Sequence, residues 1–166
     1  MEADLRVYTA RFGTIDNWRF ESLAAPYWRI YWNDREGWEV RLGAQTVALG
    51  PDRLVVIPPE TPCSAHSRNP SGHFHIHFVA GAPFDSVRPS LLARPLDDQL
   101  RSLVLEAVRL ATPEVPQTPR SILLGQLLCL HALLLVPEED IQDTLIMPGK
   151  IDCRTPFLEW PAHCCN

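Results

Sequence analysis

The sequence predicts a mainly β chain, an antiparallel β-barrel over roughly residues 5–80 followed by two α-helices. Three observations carry that expectation. Between residues 5 and 84 the chain is rich in aromatic and β-branched residues, with turn formers at short intervals. Residues 27–32 (Tyr-Trp-Arg-Ile-Tyr-Trp) and 38–42 (Trp-Glu-Val-Arg-Leu) alternate with period two, as strands do. After Pro89 the apolar residues recur at three- and four-residue steps, as in amphipathic helices. The length of 166 residues, 46% of them apolar and 21% charged, suits one globular domain with a substantial core.

The elements follow in chain order. In 27–32, Trp28, Ile30 and Trp32 share one face, and Tyr27, Arg29 and Tyr31, continued by Asn33, share the other. Alternation alone leaves open which face looks into the barrel. Residues 33–37 (Asn-Asp-Arg-Glu-Gly) turn the chain into 38–42, Gly43-Ala44 turns it again, and Gly50-Pro51-Asp52 leads into the apolar run 54–57, closed by Pro58-Pro59. Residues 74–78 form one more alternating strand before Gly81 and Pro83. Each strand is too short to stand alone, so together they are expected to form a sandwich or barrel.

Leu96, Leu100, Leu103, Val104, Ala107, Val108 and Ala111 mark a first helix over 96–111, with Pro95 and Asp97 suited to its start. Residues 112–119 contain Pro113, Pro116 and Pro119 and read as a loop. Ser121 then caps a second helix over 121–136, apolar almost all round. Two helices on one barrel leave few places to bury that surface, so a homodimer through 96–111 and 121–136 is expected. The organisation is therefore a barrel over 1–89, a two-helix dimerisation segment packed on it over 90–136, and an irregular tail over 137–166.

A formal charge of −5 supplies no basic field, so direct nucleic-acid binding by this chain is not expected. No cationic, apolar leader opens the sequence. The longest apolar stretch, 122–136, is interrupted and shorter than the roughly 20 residues of a membrane-spanning helix. The five cysteines, at 63, 129, 153, 164 and 165, lack the spacing of a disulfide framework. A cytoplasmic chain with reduced thiols and no membrane segment is expected.

Residues 29–33 (Arg-Ile-Tyr-Trp-Asn), 50–62 (Gly-Pro-Asp-Arg-Leu-Val-Val-Ile-Pro-Pro-Glu-Thr-Pro), 73–78 (His-Phe-His-Ile-His-Phe) and Pro83-Phe84 occur in an order that resembles the N-terminal cupin-type sensing domain of AraC-family transcriptional regulators. The middle segment resembles the second cupin motif. This resemblance implies a jelly-roll barrel that binds a small-molecule effector, a sugar or another metabolite, and helices that pair two chains. The family's DNA-binding domain, with its two helix-turn-helix units, is not matched here, because no helix–Gly-turn–helix pattern with basic residues follows residue 136. The pattern also departs from metal-binding cupins. No histidine lies between Arg29 and Trp38, and Cys63 stands near where the second motif would place one, with His66 three residues on.

The candidate ligand-binding residues are Arg29, Tyr31, Trp32, Trp38, His75 and His77. Aromatic walls with a few polar groups suit small-molecule pockets, although aromatic residues also simply fill β cores. With the polar face inward, Arg29 would fix an anionic or hydroxylated ligand; its competing role is a structural ion pair. His73, His75 and His77 alternate along one strand and share a face. The plain reading puts Phe74, Ile76 and Phe78 toward the core and the histidines on the sheet's second surface. The alternative is a metal-dependent cupin enzyme with His66, His75 and His77 as ligands. Cys153, His163, Cys164 and Cys165 offer zinc-ligand types in no recognised spacing. Nucleophile-elbow, phosphate-loop and paired-histidine helix motifs are missing, so neither an enzymatic role nor a cofactor is expected.

Overall fold

The computed structural model describes residues 4–16, 19–67 and 69–141. Among them are nine strands: β1 (Leu5–Ile15), β2 (Arg19–Leu23), β3 (Trp28–Asn33), β4 (Trp38–Leu42), β5 (Gln45–Leu49), β6 (Arg53–Ile57), β7 (Cys63–Ser67), β8 (Ser71–Ala80) and β9 (Leu92–Pro95). Two helices, α1 (Asp98–Leu110) and α2 (Pro119–Leu133), and a 3-10 turn at Glu138–Asp140 complete the order. Five strands form one sheet in the order β1-β8-β3-β6-β9, and four form a second in the order β2-β7-β4-β5. All recorded pairings within the sheets are antiparallel. The sheet extends past residue 89, because Leu92–Pro95 pairs with β6 before the helices begin.

The five-stranded sheet is covered on both faces, which explains why all six residues of β3 are buried. On one face Trp28, Ile30 and Trp32, with Leu54, Val56, Phe74, Ile76 and Phe78, pack under Leu100, Val104 and Ala107 of α1 and Leu128, Cys129 and Ala132 of α2. On the other face Tyr31, Val55 and Ile57 meet Trp38, Val40, Leu49, Cys63 and Ala65 of the four-stranded sheet. The molecule thus has three layers, helices on sheet on sheet, with two separate cores.

Local chemistry fixes the joints. Gly43 turns β4 into β5 at φ +56°, a conformation that costs glycine little. Asp34, after β3, accepts from Ser71 Oγ (3.1 Å) and the Gly72 amide (2.9 Å), which ties the start of β8 to the end of β3. β7 (Cys-Ser-Ala-His-Ser) has little intrinsic strand preference, and it is a strand because β2 and β4 pair with it on either side.

Asp97 caps α1, its carboxylate accepting from the Leu100 amide at 2.8 Å. The cap of α2 is Thr118 rather than Ser121. Thr118 Oγ1 accepts from the Ser121 amide while Ser121 Oγ accepts from the Thr118 amide, a reciprocal capping box. Pro119 accordingly opens the helix instead of closing a loop, since the first helical position needs no amide donor. The helix buries Gly125, Leu128, Cys129, Ala132 and Leu133 against the sheet. Its other side exposes Leu123 (64%), Leu127 (38%), Leu130 (48%) and Leu134 (78%), at spacings of four, three and four. Among the described residues no helix is long and apolar enough to cross a membrane. Most of the tail expected to be irregular, including Cys153, His163, Cys164 and Cys165, lies outside the described residues.

Candidate functional site

The space between the two sheets is where the polar side chains gather. The register sets His77, His75 and His73 of β8 beside Arg29, Tyr31 and Asn33 of β3. Side chains alternate across a strand, so all six share the face toward the four-stranded sheet. The histidines thus do not lie on a surface opposite the core, as the plain reading of the sequence had it. The helices, not a barrel interior, receive Phe74, Ile76 and Phe78, and the histidines line the second core.

The three imidazoles form a ladder, with ring centroids 5.6 Å apart for His73–His75 and 4.9 Å for His75–His77. Tyr27 caps one end at 4.8 Å from His77. At the other end Trp38 stacks on His73 at 6.0 Å, and Tyr31 lies 5.1 Å from His73. His73 Nδ1 and Asn33 Oδ1 are 2.8 Å apart, and His73 is almost wholly buried. Trp38 Nε1 donates to the Asn69 carbonyl at 2.9 Å. Tyr27, His75 and His77 are half-buried, so the interior reaches solvent at these rings.

Arg29 is completely buried. Its Nη2 donates to the Thr61 carbonyl at 2.8 Å, and its Nη1 donates to the Leu23 carbonyl at 3.2 Å and contacts Cys63 Sγ at 3.4 Å. Its Nε has no partner. The structural ion pair weighed for this residue is not formed: among the described residues no carboxylate pairs with it.

Burial sets the protonation states. It holds His73 well below the usual histidine range, with His75 and His77 adding to the effect. His75 is lowered to about 4 by burial and the Arg11 charge, and His77 to about 3 by burial, His75 and Arg29. The imidazoles are therefore neutral at physiological pH, each offering one donor and one acceptor. Burial pushes the Tyr27 and Tyr31 hydroxyls and the Cys63 thiol up, against an opposing pull from Arg29. The arrangement is rich in neutral hydrogen-bonding groups around one fixed cation.

Five of the six candidate ligand residues, Arg29, Tyr31, Trp38, His75 and His77, share this interior. Trp32 does not. It belongs to the core under the helices, where its Nε1 reaches the Pro51 carbonyl at 3.4 Å, because it alternates with Tyr31 and Asn33. The ligand set His66, His75 and His77 is not assembled. His66 is exposed on the outer face of the four-stranded sheet, opposite Arg19 and Glu39, while the other two point inward. Among the described residues no group of three or more His, Cys, Asp or Glu side chains is arranged to hold a metal ion.

His73 and Asn33 join the candidate residues on this face, where the same alternation places them, and so does Arg11, which no sequence pattern marks. A cleft of about 210 Å³ lies elsewhere, between β1, Phe74, α1 and α2, and two shallower ones open near Trp38 and His66; none is lined by His73, His75 or His77.

No protein-family model and no curated protein matches the sequence. Among solved structures, two crystal structures of ToxT from Vibrio cholerae match at a TM-score of 0.50 and 12% identity over 87% of this chain. A ToxT structure described as bound to an unsaturated fatty acid matches at 0.47 and 13% identity. The chain spans about 60% of the length of the ToxT chains it matches. At this identity the likeness is one of fold, and the two-sheet, two-helix architecture is that of part of ToxT.

Proposed function

We propose that this chain is a small-molecule-sensing module of an AraC-type transcriptional regulator, non-catalytic and paired through its helices. The observation that carries the reading is the ring-lined polar interior. An apolar core would fold this sandwich equally well, yet Arg29, Asn33 and three histidines occupy its centre at a desolvation cost. ToxT, whose fold it shares, is a regulator of the AraC family, which the sequence segments around residues 29–33, 50–62 and 73–78 resemble. Neutral imidazoles without a neighbouring carboxylate, and a thiol held protonated, favour binding over general acid–base or nucleophilic chemistry.

The effector would enter at Tyr27, His75 and His77 and bear on β8. The opposite face of β8 carries Phe74, Ile76 and Phe78 under α1 and α2, so a ligand with different affinity for two positions of β8 shifts the helical layer. The leucine stripe Leu123, Leu127, Leu130 and Leu134 on α2 has heptad-like spacing and supplies the pairing surface for a second copy. Native mass spectrometry of the purified protein, compared with its denatured mass, tests the reading. A dimer carrying a small organic adduct, or no adduct, supports it. A whole-number metal adduct on every chain supports the enzyme alternative, and a strict monomer removes the pairing.

A further inference from the structure

The cleft of about 210 Å³ between the edge strand β1 and the two helices has Phe74 of β8 among its walls. The Phe12 amide donates to the Ala111 carbonyl at 3.1 Å and clips the end of α1 to β1. The pairing of β1 with β8 shifts register between Val7 and Thr9, and four consecutive residues from Val7 to Ala10 line the cleft. A regular strand would turn every second side chain away, so main chain as well as side chains face this space. Ala10 lies two residues before Phe12 in unbroken register, so its amide and carbonyl turn to the same free edge as the Phe12 amide.

Gly125 sets back the helical wall. It sits inside α2, where glycine is the poorest residue after proline, and it is buried. A methyl group added there would nevertheless meet nothing within 4 Å beyond its own stretch of helix. Alanine would therefore fit and would make the better helix, whereas glycine keeps the cleft open. None of the residues lining the cleft carries a charge. Ala107 and Leu110 of α1, Ile122 of α2 and Phe74 make its wall largely apolar. The Ser121 hydroxyl is engaged in the α2 cap, and the exposed Gln117 contributes a neutral amide. A charged molecule would lose hydration here and find no counter-ion. An apolar cavity of about 150 Å³ holds benzene, so this volume matches a molecule of one or two rings.

We infer that this cleft is a second small-molecule site, taking one uncharged molecule of one or two rings whose single polar group meets the Ala10 main chain. It lies across β8 from the histidine ladder and does not depend on the reading of the inter-sheet interior. Ile122 and Gly125 share α2 with the exposed Leu123 and Leu127, so an occupant fixes that helix against β1. The test uses the full chain with indole and phenol as probes, and with tryptamine and indole-3-carboxylate as charged counterparts, at constant ionic strength. NMR reads nuclear Overhauser contacts between each probe and the methyl groups of Ala107 and Ile122.

Indole or phenol is expected to contact both residues, and the charged counterparts neither. Gly125→Ala should melt at or above the parent temperature and weaken the bound probe by severalfold, because its methyl group takes part of the space. Gly125→Leu, which fills the cleft, should abolish the contacts; should it fail to fold, Gly125→Ala still decides the matter. If the charged counterparts make the same contacts, the uncharged ligand class is overturned. If no probe touches Ala107 or Ile122, or if Gly125→Ala binds as the parent does, the site itself is overturned. Contacts to the His75 and His77 rings in place of the cleft would overturn this site and leave the sensing reading of the interior standing.

Discussion

Acid should unfold this protein well above the pH at which most carboxylates titrate, because of the histidine ladder. His75 and His77 fall from an ordinary 6.5 to about 4 and about 3, and burial holds His73 well below the ordinary value as well. Above pH 6.5 the rings are neutral whether the chain is folded or unfolded, so they contribute no pH dependence. Below it the unfolded chain takes up protons and the folded one does not, so stability falls with pH until the folded-state values near 4 and 3 are reached. At about 1.4 kcal/mol per proton per pH unit, His75 and His77 together remove about 4 kcal/mol between pH 7.5 and pH 5. That is a large part of the roughly 5–15 kcal/mol of a typical domain, and His73 adds to it. Urea unfolding followed by tryptophan fluorescence at several pH values gives the slope. Between pH 6 and pH 5 it should correspond to two to three protons, about 3–4 kcal/mol per pH unit. His77→Asn should lower it by about one proton. A slope below one proton would show that the imidazoles are solvated and that the buried ladder is wrong.

Other predictions are local. Leu127→Glu, on the exposed face of α2, should halve the mass measured by light scattering while leaving the circular dichroism spectrum unchanged; an unaltered dimer would remove α2 from the interface. Gly72→Ala should cost about 1–3 kcal/mol, because the added methyl would lie 2.7 Å from Phe12 Cζ and 2.8 Å from Asp34 Oδ2, and chemical denaturation measures it. Thr118→Ala removes the α2 capping box and should cost about 1 kcal/mol, seen as a melting temperature lower by a few degrees.

Much of this architecture was legible in the residues. Alternation marked β3, β4 and β8, an apolar run closed by two prolines marked β6, and the change of period after Pro89 marked both helices to within a few residues. The strands it did not mark individually, such as β5 and β7, are short or polar and owe their conformation to their neighbours. The harder matter was which face of β3 looks inward. The usual rule, apolar toward the core, fails when both faces are buried, and here the larger apolar face, Trp28-Ile30-Trp32, belongs to the helices. That reversal places Arg29 and the histidines at the centre and sends Trp32 away from it. His66 was misleading for a related reason: it is close to His75 in sequence but lies on the outer face of the second sheet. Pro119 shows the limit of reading prolines as loop markers, since its position within the helix decides its effect.

The central claim is that the interior between the sheets receives a small molecule. It is tested most directly by adding a low-molecular-weight cell extract to the protein and following the ring resonances of its histidines by NMR. His75 and His77 are predicted to shift, while His66, exposed on the outer face, stays in place as an internal reference. Shifts confined to His66, or none at all, would contradict the account.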